Sequence, residues 1–139
     1  MSKFTMIDGL KDLFPNYVLL VKVGTFFECY YDDANIMSML FGYKIKILSG
    51  NIRNCGFPVV SENKVKAYLE NKQINYLVVD KANSYEELDK LNLKQKNKYK
   101  DIKIKANKYI DIKERIEKIN NYLLKDSSKL EDIEKILYE

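Results

Sequence analysis

Apolar residues recur along this chain first at helical spacing, then in near-continuous runs, then in strict alternation, and each change of period marks a new element. Ile7, Leu10, Leu13 and Phe14 are spaced for one helix face, which predicts a helix that ends at Pro15. Tyr17 to Val23 is a nearly unbroken apolar, β-branched run, the pattern of a strand covered on both faces. Gly24 bends the chain, and Phe26 to Tyr31 reads as a second strand. Asp32 and Asp33 suit the positive start of a helix that carries Ala34, Ile36, Met37, Leu40 and Phe41 and closes at Gly42. Tyr43 to Ile47 alternates cleanly and predicts a half-exposed strand. Ser49-Gly50-Asn51 is turn chemistry, and Cys55 to Val60 would be a short strand which Pro58 confines to an edge or a strand start. Ser61 is placed to cap a helix burying Val65, Tyr68 and Leu69, and Ile74 to Asp80 is another buried-type strand. This order gives an α/β (α+β) fold, a mixed sheet flanked by helices.

After residue 83 the pattern changes. Ser84-x-x-Glu87 has the form of a capping box and predicts a short helix. Lys94, Lys96, Lys98, Lys100, Lys103, Lys105 and Lys108 follow, against the single acid Asp101. Tyr109, Ile112, Ile116, Ile119 and Leu123 then alternate in spacing between three and four, a helical stripe. Ser128-x-x-Glu131 is placed to cap a last helix with Leu130, Ile133, Ile136 and Leu137. The expected organisation is a mixed α/β domain over residues 1–83 and a lysine-rich helical extension over 84–139.

Composition narrows the chemistry. Apolar residues make up 46% of the 139, enough for a core. There is no histidine, which removes the commonest metal ligand and general base, and two cysteines make no zinc site unaided. No cofactor and no metal are expected. Met1-Ser2-Lys3-Phe4 does not open a signal peptide and no run of 18 apolar residues exists, so a cytoplasmic protein with no membrane span and with reduced Cys29 and Cys55 is expected. The net charge is +4, and every basic residue except Arg53 and Arg115 is lysine. With asparagine, isoleucine and tyrosine also abundant, AT-rich coding accounts for that bias, so the charge permits a nucleic-acid partner without demanding one. Asp32 and Asp33 are adjacent and point different ways, and no cysteine has a histidine to activate it, so no enzyme is expected.

The informative segment is Gly24-Thr25-Phe26-Phe27-Glu28-Cys29-Tyr30. As a strand it puts Phe26, Glu28 and Tyr30 on one face and Phe27 and Cys29 on the other. A flat apolar ring then lies about 6–7 Å from a hydrogen-bond acceptor on the same face. That pair suits a base that has lost its stacking partner. The plain alternatives are an aromatic that fills the core and a carboxylate paired with a lysine on a neighbouring strand. A carboxylate near phosphates is repulsive, so Glu28 makes sense at a DNA surface only if it accepts a hydrogen bond from a base edge or orders a basic neighbour.

The Gly-x-Phe-x-Glu motif after a hydrophobic strand and before an acid-opened helix resembles the N-terminal mismatch-recognition domain of the MutS family. The likeness extends through Asp32-Asp33-Ala34, Gly56-Phe57-Pro58 and Tyr68-Leu69 before Tyr76-Leu77-Val78-Val79, and covers roughly residues 7 to 81. It implies that Phe26 wedges into the duplex at a mispair from the minor groove and that Glu28 hydrogen-bonds the displaced base. Thr25 stands where the family commonly has Asp, Phe27 where it usually has Tyr, and Val59-Val60 where Tyr-His often follows. No Gly-x-x-x-x-Gly-Lys-Ser/Thr loop is present, so a stand-alone module without the family's ATPase is expected.

Sequence therefore leads to a DNA-binding accessory of mismatch repair, with mispaired or bulged duplex DNA as its partner and Phe26 and Glu28 as its DNA-binding residues. The alternative is a protein-protein interaction domain on the same fold, in which a partner or a second copy docks on the C-terminal helices. Exposure of Phe26 beside lysines would favour DNA, and burial against Leu19 or Val21 would sink the wedge.

Overall fold

A computed structural model describes residues 3–138; Met1 and Ser2, weighed above against a signal peptide, lie outside the described residues. Among the described residues five helices, α1 (Lys3–Leu13), α2 (Asp32–Phe41), α3 (Glu62–Asn71), α4 (Tyr99–Lys125) and α5 (Leu130–Tyr138), accompany six strands, β1 (Val18–Val23), β2 (Phe26–Tyr30), β3 (Lys46–Leu48), β4 (Ile52–Pro58), β5 (Tyr76–Asp80) and β6 (Glu86–Leu91). The strands form one mixed sheet in the order β3-β4-β2-β1-β5-β6, in which only β1 and β5 run parallel. This is the α+β arrangement that the periodicities imply. Among the described residues no helix is long and apolar enough to cross a membrane.

The chain divides into two compact units, 1–107 and 108–139. The first holds the sheet, α1, α2, α3 and the opening turns of α4; the second holds the rest of α4 and α5. The residue-83 boundary expected from sequence falls inside the first unit.

Both faces of the central strands are buried, for the reason visible in the Val18–Val21 run. On one face Val18, Leu20, Phe27, Cys29, Cys55, Phe57 and Val78 pack under α2, α3 and the start of α4. On the other, Leu19, Val21, Tyr30, Leu77 and Val79 pack with Ile7 of α1. A helix about 10–12 Å across covers roughly two strand spacings of about 4.8 Å. One helix therefore cannot roof six strands, and the β2–β4–β3 side of that face stays partly open.

Asp33 ties this unit together. It is buried, and its carboxylate accepts the Leu19 N–H at 3.0 Å and the Tyr99 hydroxyl at 2.6 Å, while Lys11 Nζ stands 3.0 Å away. Lys11 also donates to the Tyr17 carbonyl at 2.6 Å. Four segments of sequence, α1, β1, α2 and the start of α4, thus meet at one charge. Burial outweighs these partners and raises the Asp33 carboxyl above its ordinary 3.8.

Three local expectations are corrected. The Ser84–Glu87 segment is not a helix start. Ser84 and Tyr85 take positive φ (55° and 59°), the Tyr85 N–H returns to the Asp80 carbonyl at 2.8 Å, and β6 follows as a charged edge strand on β5. Pairing with β5 satisfies the backbone groups that a capped helix would have satisfied, and Glu86, Glu87 and Lys90 suit an exposed edge. The Pro58 strand is longer than expected and lies inside the sheet, between β3 and β2. It tolerates proline because the hydrogen-bonded pairs with β2 fall on alternate residues (Tyr31 N–H to the Arg53 carbonyl, Val59 N–H to the Thr25 carbonyl), so Pro58 needs no donor towards β2. On its other side β3 has already ended. The last helix begins not at Ser128 but after a 3-10 turn in which Asp126 Oδ1 accepts the Ser128 N–H.

Candidate nucleic-acid interface

Gly24 and Thr25 form the two-residue turn that joins β1 to β2. Gly24 has φ +61° while Thr25 stays at negative φ, the pattern of a tight turn that needs glycine at its first position. Gly24→Ala is expected to cost about 1–2 kcal/mol, the penalty of a Cβ at left-handed φ, read as a lower urea midpoint. The turn places Phe26 at the tip of the hairpin, paired with Pro58.

Period two then separates neighbours sharply. Phe26 is 53% exposed, whereas Phe27 is fully buried and stacks on Phe57 at 5.3 Å. Phe26 does not pack into the Leu19–Val21 layer. Exposed Val60 and Pro58 stand beside it, with Val59, and together they make an apolar projection at that end of the sheet.

Next to Phe26 an open cavity of about 450 Å³ is lined by Val23, Phe26, Glu28, Lys44, Lys46, Asn54 and Gly56. Its depth has a backbone origin. Glu28 faces Gly56 across a closely spaced pair of strands, and with no side chain at 56 the floor stays open. A Cβ there would stand 3.0 Å from the Phe27 carbonyl oxygen, so the position also tolerates only close backbone approach. Lys46 of β3 pairs with Asn54 of β4, and Lys44 and Lys46 both line the cavity.

Glu28 is partly buried. Its carboxylate accepts the Tyr30 hydroxyl and has Lys3 Nζ at 3.8 Å. Burial, then the bond to Glu28, raises the Tyr30 phenol well above its ordinary 10, so it remains a donor at any physiological pH. Tyr30 itself is buried edge-to-face against Phe4 at 5.7 Å. The face therefore offers an apolar ring, an oriented acceptor and two ammonium groups, with Tyr30 holding the acceptor in place.

On the opposite face Cys29 and Cys55 are paired across β2 and β4 as free, buried thiols. The hydrogen bond with Cys55, and then burial, hold the Cys29 thiol well above its usual range, so it stays protonated.

A family model described as MutS domain I matches residues 4–106. The chain belongs to the MutS domain I family. The match coincides with the first compact unit and extends past residue 83, because β6 and the start of α4 belong to the same fold. A similar relative is a DNA mismatch repair protein MutS from Chlorobium limicola (strain DSM 245 / NBRC 103803 / 6330), 32% identical over 73 residues, or 52% of this chain. That match spans 8% of the relative's length.

Sequence reasoning named Phe26 and Glu28 on this MutS-type hairpin, and the structure puts them on one cavity. It did not name Lys44, Lys46 or Asn54. Alternation over Tyr43–Ile47 predicted one strand carrying both lysines, but β3 runs only over Lys46–Leu48, so Lys44 precedes the strand and the register of β3 on β4 places Lys46. The 94–108 lysine tract is not part of this cavity; of its members Lys94, Lys96, Lys98, Lys100, Lys105 and Lys108 are exposed.

Proposed function

We propose that this chain recognises mismatched or bulged duplex DNA as an accessory of mismatch repair, with Phe26 inserted into the base stack and Glu28 accepting a hydrogen bond from the displaced base. The observation that carries this reading is an exposed phenylalanine at a tight hairpin tip, beside an oriented carboxylate and two lysines. An exposed ring in that setting stabilises no core, whereas it can replace a stacking partner where pairing has already failed. Unstacking a base step costs about a few kcal/mol, and least at a defect, so the wedge discriminates by the cost it avoids. Lys44 and Lys46 supply phosphate contacts at the rim, and Tyr30 fixes the direction of the Glu28 acceptor. Family membership and the Chlorobium relative's name support a role in mismatch repair.

The test is fluorescence anisotropy with matched, single-mismatch and one-base-bulge duplexes at two salt concentrations. A preference for the distorted duplexes that persists at the higher salt supports the reading. Equal, steeply salt-dependent binding to all three would leave only a lysine-driven contact. Glu28→Gln separates the two contributions. Removing a negative charge near phosphates should strengthen binding to matched duplex, while loss of the strong acceptor should narrow the mismatch preference. Unchanged selectivity in that variant would remove Glu28 from the base contact.

A further inference from the structure

The unit over residues 108–139 shows two apolar helix faces with nothing of that unit packed on them. On α4, Tyr109, Ile112, Ile116 and Ile119 are each about half exposed, and Ile112, Arg115, Ile116 and Ile119 border a shallow cavity of about 250 Å³. On α5 no residue is buried; Ile136, Leu137 and Tyr138 are largely exposed, and Leu130 less so. We propose that the α4 stripe is the docking surface for α5 of a second copy of this chain, with the two chains exchanging their last helices reciprocally. This does not depend on what Phe26 binds.

Charge selects that occupant. On the α4 helix Lys108 and Arg115 flank the stripe on one side and Lys113 on the other. Two α4 stripes laid together, parallel or antiparallel, would bring like charges to the seam. The short α5 carries Glu131, Asp132 and Glu134 against Lys135, and Asp132 and Glu134 border its Leu130–Ile133–Ile136–Leu137 face, one on each side. A basic-flanked groove and an acid-flanked apolar helix therefore occur in the same chain.

The link between them is short and held by hydrogen bonds. The Asp126 N–H bonds the Tyr122 carbonyl at 2.8 Å, Asp126 Oδ1 accepts the Ser128 N–H at 3.0 Å, and the Tyr122 hydroxyl reaches Asp126 Oδ2 at 3.4 Å. This 3-10 turn runs directly into α5 at Leu130, and the stripe residues Ile112, Ile116 and Ile119 stay about half exposed. A nine-residue helix is about 14 Å long, the reach of three consecutive stripe residues, so one α5 fills the Ile112–Ile119 segment. A reciprocal exchange is isologous and closes at two copies.

Charge reversal in two variants of the full chain tests this by light-scattering mass at one fixed concentration. One variant carries Lys113→Glu with Arg115→Glu, the other Asp132→Lys with Glu134→Lys; all four positions are exposed, and circular dichroism checks that helicity is kept. The wild type is expected at twice the 16.4 kDa of one chain. Each variant alone is expected at the single-chain mass, and an equimolar mixture of the two at the doubled mass, because opposite charges then face each other across copies. A wild type of single-chain mass overturns the proposal. So does a mixture that stays at single-chain mass, which would mean that α5 folds back on its own α4. Variants that each retain the doubled mass would place the contact on another surface.

Discussion

Phe26→Ala is expected to bring binding of a single-mismatch duplex down to the level of the matched one, while leaving the fold intact. Stacking of one base on an aromatic side chain contributes about 1–3 kcal/mol, so the loss is roughly 5- to 150-fold on the distorted duplex. Matched duplex, which resists insertion, should change little. The side chain is 53% exposed and outside both buried layers, so thermal stability should move by no more than about 0.5 kcal/mol. Its neighbour provides the contrast. Phe27→Ala removes a fully buried ring stacked on Phe57 and is expected to cost about 3–5 kcal/mol of stability. Anisotropy and thermal melts on the same two proteins distinguish the roles. If Phe26→Ala retains full mismatch preference, the wedge is wrong even though the ring is exposed.

The largest stability effect outside the apolar core is expected at Asp33. Asp33→Ala leaves the Lys11 ammonium, the Leu19 N–H and the Tyr99 hydroxyl without their common acceptor, and removing one member of a buried pair costs about 3–5 kcal/mol. Asp33→Asn keeps the shape and one acceptor and should cost less. The pH dependence follows from the sign of the shift. The folded-state carboxyl is raised above 3.8, so its contribution to stability is fully present below the unfolded value and is lost as pH rises through the folded one. Wild type should therefore gain on Asp33→Asn as pH falls from neutrality towards about 4. Urea unfolding of both proteins at several pH values reads this directly. A gap that shrinks on acidification would mean that Lys11 and Tyr99 outweigh the burial of the charge.

Local pattern is a good guide where one physical requirement acts. The Val18–Val21 run is apolar on both sides because helices cover both faces of β1. Period two alone separated Phe26 from Phe27, and the Gly24 bend is the turn that puts Phe26 at a tip. Gly42 closes α2 as expected, with its N–H on the Ser38 carbonyl at 2.8 Å. The pattern misled where distant segments compete for the same backbone groups. Ser84-x-x-Glu87 has the residues of a capped helix start, yet the open edge of β5 takes that stretch as β6. Pro58 marked an edge only if every strand position needed a donor, and pairing leaves its nitrogen without one to match.

The sequence by itself determined the alternation that exposes Phe26 beside Glu28, the order of helices and strands in the first unit up to Asp80, and the motif that places the chain with the MutS domain I family. These depend on residues within a few positions of one another, so the backbone periods carry them. Only the tertiary structure decided that Lys44, Lys46 and Asn54 join that pair around one cavity, that Asp33 does more than open a helix, and that the first unit runs on to Asn107. Each of these depends on which strand lies beside which and in what register, and pairing between residues far apart in the chain leaves no local period to read.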